Sequence, residues 1–226
     1  MAALGAGAEA APRLIEAHYA EPTTRYDHGV LGDAVEWGAL SLTLQDGAGT
    51  RDVLLRLDRT RVFEDTAPRL VDLGTVTAAM VVESDLSLGA RLALYTAEGL
   101  LAATPFIGQR HRWLAPVGAA DLDGDGLIEL TYVDRPHLAK TLRIWRYQPA
   151  SSDLREIAVA SGLTNHRIGW QNIAGGLRDC GAGPEIVLAD ADWTQVISAR
   201  LEGGAIVRRN LGRYDASAMT AALACR

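Results

Sequence analysis

Asp121-Leu122-Asp123-Gly124-Asp125-Gly126-Leu127-Ile128-Glu129 is the stretch that decides the fold of this chain. Carboxylates stand at its first, third, fifth and ninth positions, and the seventh residue offers a backbone carbonyl. Ca²⁺ prefers six to eight hard oxygen ligands of this kind, at distances of about 2.3–2.6 Å. Glycine at the sixth position permits the sharp turn that brings such ligands around one ion. The stretch therefore predicts a calcium loop with Asp121, Asp123, Asp125, Leu127 and Glu129 as ligands.

The residues after this loop distinguish between two kinds of calcium loop. An EF-hand takes a bidentate Glu at its twelfth position and continues as a helix, but the twelfth residue here is Tyr132. Segments 130–134 and 141–147 are rich in β-branched and aromatic residues, which is typical of strands. We therefore expect a loop between two strands. The alternative is a metal-free Asp-Gly turn, although three aspartates within five residues would repel one another there.

Runs of strand-forming residues recur along the chain in units of similar length. The clearest unit contains a short strand, the acidic loop and three further strands. Four strands joined by short turns form the blade of a β-propeller, and a period of about 40–50 residues is typical of such blades. The units span residues 25–65, 67–104, 116–160 and 172–211. The sequence thus predicts an all-β fold, in which residues 13–226 form a propeller-like array of about four or five four-stranded blades.

The other units carry weaker versions of the acidic loop. The loop after Asp72 lacks the second and third aspartates, and the loop around Asp179 has Arg, Cys and small residues at the ligand positions. We expect both loops to be metal-free, while Asp190 and Asp192 leave room for a second, weaker site. Residues 13–20 are expected to form an extra strand, which closes the ring against the last unit or belongs to a fifth blade.

The unit from Pro116 to Tyr147 resembles an FG-GAP or VCBS repeat, the blade of integrin α-chain propellers. The four acids of the loop match the calcium motif of that family, and Leu127 stands at its carbonyl position. The whole chain is similar to short bacterial extracytoplasmic proteins built of such repeats. The resemblance implies a non-enzymatic binding or scaffold module with structural Ca²⁺ and with a protein or carbohydrate partner.

Composition and charge bear on partners and location. The net charge of −6, with no cluster of Lys and Arg, argues against a nucleic-acid partner. No apolar run approaches the roughly 18 residues of a membrane span.

Residues 1–12 are either the remnant of an export signal or a disordered tail. Cys180 and Cys225 are either a disulfide or two unrelated thiols, and we expect the disulfide. Together with calcium, it favours an extracytoplasmic location.

No catalytic motif accompanies the histidines. We expect each of them to be a surface or turn residue, and the five tryptophans to fill space between blades. The alternative function is that of a hydrolase or lyase acting on carbohydrate or phosphoester in the central channel of a propeller. In that case acids such as Asp134 would converge there with His111 or His166.

Overall fold

A computed structural model describes residues 12–226, which form a mostly β structure. Three antiparallel sheets follow one another along the sequence, and one short helix ends this described part of the chain. The all-β prediction is confirmed at this level. The tail or signal remnant predicted at residues 1–12 lies, apart from Pro12, outside the described residues.

The first sheet unites the first two predicted units. It contains eight strands: β1 (Arg13–Thr23), β2 (Glu36–Asp46), β3 (Gly49–Arg56), β4 (Arg61–Phe63), β5 (Arg69–Asp72), β6 (Thr77–Asp85), β7 (Gly89–Thr96) and β8 (Gly99–Ala103). Strand β4 makes the connection, because Phe63 pairs with Trp37 of β2 while Val62 pairs with Ser84 of β6. Units 25–65 and 67–104 therefore share one sheet instead of forming two separate ones.

One of our two expectations for β1 was that it would pair with the last unit. This expectation is wrong. Strand β1 pairs with β2 along most of its length, from Arg13 opposite Gln45 to Thr23 opposite Glu36. Leu14 is buried in a cluster with residues of β2, so the apolar side of β1 is covered by its own sheet. Strand β1 thus extends the first sheet.

The second sheet corresponds to the predicted unit 116–160. Its strands are β9 (Leu114–Ala120), β10 (Glu129–Asp134), β11 (Thr141–Gln148) and β12 (Asp153–Ser161), in the spatial order β12-β11-β10-β9. Every residue of β10 is buried, whereas residues of the edge strand β12 are partly exposed. Leu130 and Tyr132 pack in a cluster with the first sheet, and Val133 packs in one with the third.

The third sheet corresponds to the last predicted unit. Its strands are β13 (Leu163–Thr164), β14 (Gly176–Asp179), β15 (Pro184–Asp190), β16 (Gln195–Glu202) and β17 (Ala205–Arg213). Strand β17 has no buried residue, and among the described strands it pairs only with β16.

Helix α1 (Ala216–Leu223) follows the third sheet and was not predicted. The side chain of Asp215 caps it by accepting the N–H of Ala218 at 2.8 Å. Met219 and Ala222 bury one side of the helix against the third sheet. Across residues 12–226, no helix is long and apolar enough to cross a membrane.

Consecutive sheets pack against each other in series. The first and second sheets share one buried cluster, and the second and third share another. At the second contact, a Cβ on Gly118 of β9 would lie 2.9 Å from the side chain of Leu177 of β14, so this close approach favours glycine. Within the described residues, no buried cluster joins the third sheet to strands β1 to β3.

The two cysteines form a disulfide, as predicted. The Cα atoms of Cys180 and Cys225 are 5.6 Å apart, and the bond spans 45 residues of sequence. It ties the end of α1 to the turn between β14 and β15. Arg178 of β14 adds a hydrogen bond of 2.5 Å to the carbonyl oxygen of Ala222. The end of the chain is thus fixed to the third sheet.

Reduction of this disulfide is expected to lower the free energy of unfolding by about 4 kcal/mol, because the reduced chain regains the entropy of a loop of this length. Urea unfolding with and without reductant measures the difference. The double variant Cys180→Ser, Cys225→Ser should match the reduced protein and ignore the reductant. Equal unfolding midpoints for the oxidised and reduced wild type would contradict this expectation.

Candidate functional site

The acidic loop lies between β9 and β10, so the expected flanking strands are present. Its first carboxylate, Asp121, accepts the backbone N–H of Gly124 at 2.7 Å and that of Gly126 at 2.9 Å. Both glycines have positive φ angles, +81° and +84°, which residues with a Cβ rarely adopt. These hydrogen bonds curl the loop around the Asp121 carboxylate.

Three of the five predicted ligands meet in space. One carboxylate oxygen each from Asp121, Asp123 and Glu129 lie within 4.8 Å of one another. In the part of the chain that the structure describes, no other group of three acids, histidines or cysteines has this spacing. Asp125 is outside the group, and its Oδ1 accepts the N–H of Leu127 at 2.8 Å. The role of the Leu127 carbonyl stays a prediction.

Arg146 of β11 faces the loop, and the sequence analysis missed it. Its Nε donates to Glu129 at 2.5 Å, and its Nη2 donates to Asp123 at 2.5 Å. Its Nη1 lies 2.7 Å from Asp125. Arg146 stands directly opposite Glu129 in the pairing of β10 with β11, so the strand register was the signal that would have found it.

The charges of the loop are only partly balanced. Glu129 is fully buried, and burial raises the pKa of its carboxyl, although hydrogen bonds from the N–H of Leu122 and from Arg146 oppose this shift. The loop has four acidic side chains but one guanidinium, Arg146, which contacts Asp123, Asp125 and Glu129. The excess of negative charge is of the kind that a divalent cation neutralises, so these residues fit Ca²⁺.

The matching turns of the other two sheets begin in the same way. Each has an aspartate at the end of its first strand, Asp72 in β5 and Asp179 in β14. Each carboxylate accepts backbone N–H groups from glycines of its own turn: Gly74 for Asp72, and Gly181 and Gly183 for Asp179. In all three turns, the first aspartate therefore accepts a hydrogen bond from a glycine N–H of the turn. The turns differ in the acids that follow this aspartate.

The third sheet neutralises its turn with arginines. Glu185, which corresponds to Glu129, lies 2.6 Å from Arg178 and 3.2 Å from Arg200. Burial opposes ionisation of Glu185, but the two guanidinium groups hold its pKa below the usual value. Arg178 and Arg200 thus balance the charge of the two carboxylates of this turn, Asp179 and Glu185.

Four of the five histidines, each expected to be a surface or turn residue, come together in space. The rings of His28 and His111 are stacked with centroids 5.1 Å apart, and those of His137 and His166 are also 5.1 Å apart. Buried Trp113 contacts both rings of the second pair. This histidine cluster gathers loop residues from widely separated parts of the sequence.

Two members of the histidine cluster are paired with acids. Nδ1 of His28 lies 2.5 Å from Glu64, and Nε2 of His111 lies 2.9 Å from Asp27. Such pairing orients an imidazole ring and selects its tautomer. The cavity beside the cluster measures about 30 Å³, which is room for water molecules only. Asp134, expected here under the enzyme hypothesis, instead pairs with the adjacent Arg135 and with Arg143 of β11.

The tautomers of the other pair follow from its hydrogen bonds. Nε2 of His166 lies 2.8 Å from the carbonyl oxygen of Trp170, which only accepts, so this nitrogen carries a hydrogen. Burial favours the neutral form of both rings. In neutral His166, Nδ1 accepts a hydrogen bond from Nε2 of His137, 2.9 Å away. Burial lowers the pKa of each, and it lowers that of His137 to about 4.

The free energy of unfolding is expected to fall as the pH drops from about 6.5, the ordinary histidine pKa, towards about 4. In this pH window His137 is protonated in the unfolded chain but stays neutral in the folded chain. Protonation therefore favours the unfolded chain, and the free energy of unfolding falls as the pH is lowered through the window. Urea unfolding at several pH values measures the slope. His137→Gln should flatten it, whereas His18→Gln, at an exposed position of β1, should not. An unchanged slope in His137→Gln would contradict the assignment.

No protein-family model matches this chain, and no curated protein matches it. The resemblance to FG-GAP or VCBS repeats accordingly stays an expectation.

Proposed function

We propose that this chain is a non-enzymatic binding or scaffold module in which the acidic loop binds one structural Ca²⁺. The observation that carries this proposal is the group of carboxylate oxygens from Asp121, Asp123 and Glu129 within 4.8 Å of one another. A carboxylate oxygen has two lone pairs, so an oxygen that accepts an N–H can also bind a cation. Asp125 and the carbonyl of Leu127 would complete the ligand set.

The ion would act on the fold of the second sheet. Asp121 follows β9, and Glu129 begins the buried strand β10. A cation held by both residues would tie the two strands together at the end where the acidic loop joins them. It would also relieve the repulsion among the aspartates between them. Calcium would thereby stabilise the sheet that packs on both of its neighbours.

We further infer that the sheets represent blade-like units of a propeller-like array, as in FG-GAP or VCBS repeats. Strands β5–β8, β9–β12 and β14–β17 each form an antiparallel meander in chain order. Each meander has an aspartate at the start of its first turn that accepts N–H groups from turn glycines. This shared hydrogen bonding supports a common repeat.

An extracytoplasmic location fits the same proposal. Disulfides persist in oxidising compartments and are rare in the cytosol, and Cys180 and Cys225 are bonded. Calcium sites of micromolar to millimolar affinity also suit a calcium-rich environment outside the cytoplasm. A protein or carbohydrate partner remains part of the proposal for such a module.

The enzyme alternative has one observation in its favour and one against it. The pairing of His28 with Glu64 and of His111 with Asp27 resembles an arrangement that prepares a general base. However, the cavity beside these rings measures about 30 Å³, whereas pockets for small ligands usually measure about 300–1,000 Å³. A hydrolase or lyase acting on carbohydrate or phosphoester is therefore less well supported than a binding module.

Calcium is expected to raise the melting temperature. At about one hundred times its dissociation constant, the ion adds about 2.7 kcal/mol, which corresponds to roughly 5–10 °C for a domain of this size. Thermal unfolding with calcium and with chelator measures the shift. Asp123→Asn removes one ligand charge and should abolish most of it, while Asp58→Asn, at an exposed position, should retain it. An unchanged melting temperature of the wild type in saturating calcium would refute the site.

The variant Arg146→Met is expected to distinguish the stabilising effect of the arginine from that of the calcium ion. Without calcium this variant should melt below the wild type, because the loop acids lose their guanidinium. With calcium the loss should be recovered, and the affinity for the ion should rise roughly tenfold, or about 1.4 kcal/mol. Calorimetric titration measures the affinity. Arg143→Met, on the same strand but paired with Asp134 and Glu156, is the control. A destabilised Arg146→Met that calcium does not rescue would mean that the arginine is the permanent counter-ion.

A further inference from the structure

A pocket of about 310 Å³ lies where the first sheet meets the loop that precedes β14. Its walls include apolar Leu31, Val35 and Trp37 and polar Asp33, Glu36 and Gln171. The N–H of Gly169 donates to the carbonyl of Val30 at 3.2 Å, which joins the two loops. The volume falls in the range of pockets that bind small ligands.

Glu36 is the unusual member of this pocket. Only 3% of the residue is exposed. Within residues 12–226 its carboxyl has neither a hydrogen bond nor an ion pair, and the groups that act on it are burial and three other acids, Glu64, Asp33 and Asp65. A buried carboxylate without a partner is costly and takes up a proton instead. The pKa of Glu36 is accordingly raised to about 9.

The neighbouring acids, unlike Glu36, all have partners. Glu64 contacts His28 and the hydroxyl of Ser84. Asp65 binds Arg69 at 2.6 Å. Asp33 accepts the N–H of Val35 at 3.0 Å. Burial raises the pKa of the Tyr19 phenol, and nearby Asp65 and Glu36 add to this shift. Acids therefore exceed cations in this part of the molecule.

We propose that this Glu36 pocket binds an aliphatic ammonium group, with the Glu36 carboxylate as its counter-ion. The alkyl chain would pack on Leu31, Val35 and Trp37, and the indole of Trp37 would add attraction for the cation. The charged side chains that line the pocket are all acids, so an anion is disfavoured here. A metal ion is disfavoured because these acids do not bring three oxygens together as the acidic loop does. The ammonium group belongs either to a free amine or to a lysine side chain of a partner protein.

Binding at this site is coupled to proton release. Glu36 is neutral in the free protein near neutral pH, because its pKa lies above that range. When the ammonium group enters, the carboxyl becomes ionised and its proton leaves to solvent. The pocket thus gains one positive and one negative charge, and up to one proton appears in the buffer for each ligand bound.

Calorimetric titration with n-pentylamine and with Nα-acetyl-lysine amide, each in two buffers of different ionisation enthalpy near neutral pH, tests this proposal. We expect saturable binding with proton release, and no binding of 1-pentanol, which lacks the charge. Glu36→Gln keeps the shape of the side chain and should weaken binding at least about tenfold and remove the proton release. Preference for one ligand over the other distinguishes a free amine from a lysine side chain.

The controls separate this site from the acidic loop. Asp123→Asn, which alters only the calcium loop, should bind both amines as the wild type does, so that failure of either proposal leaves the other standing. If Glu36→Gln does not fold, Asp33→Asn, at an exposed position of the same pocket, should weaken binding in the same direction. Absence of saturable amine binding by the wild type, or equal affinity in the wild type and Glu36→Gln, would overturn the proposal.

Discussion

Burial of the second sheet on both faces is the constraint on which the rest of the structure depends. Strand β10 has no exposed residue, and its alternate side chains enter two different clusters. The interior of the strand, Leu130 to Val133, is apolar, aromatic or β-branched, as burial on both faces favours. The first and third sheets are held in place because each covers one face of this central element. The charged residues of β10, Glu129 and Asp134, stand at its two ends.

Buried glutamates held by arginines recur in all three sheets. The pairs are Glu83 with Arg61 and Arg91, Glu129 with Arg146, and Glu185 with Arg178 and Arg200. A buried carboxylate with no partner is far more costly than one in an ion pair, so each sheet supplies its own cation. Buried Glu64 contacts His28 instead of an arginine, and two further sites depart from this rule. The acidic loop has too many carboxylates for its one arginine, and Glu36 has no arginine at all.

The sequence predicted those parts of the molecule that depend on local pattern. Most strands of the second and third sheets, the turn at Asp121 and the pairing of the cysteines follow from residue type and spacing. Strand β4 was missed because three residues are too few for a pattern, yet they merge two predicted units. Helix α1 is short and rich in alanine, and it is stabilised by packing on the third sheet more than by its own periodicity.

The candidate functional residues also divide into those that local sequence pattern reveals and those that only the folded structure brings together. The loop acids are neighbours in sequence and were found, whereas Arg146 required the strand register. The histidine cluster and the environment of Glu36 depend on loops that are distant in sequence and have no periodicity. Their proximity is a property of the assembled sheets alone.

The outer strand β17 has a consequence for the behaviour of this protein in solution. It pairs on one side only among the described strands, and an open strand edge is a template on which another molecule can add its own strand. Arg209 and Arg213 are exposed on that strand, and Arg208 donates to the carbonyl oxygen of Ser161 in β12. Two copies of the edge would repel each other, so these arginines act as a guard against self-association and fibre growth on a protein that is otherwise acidic.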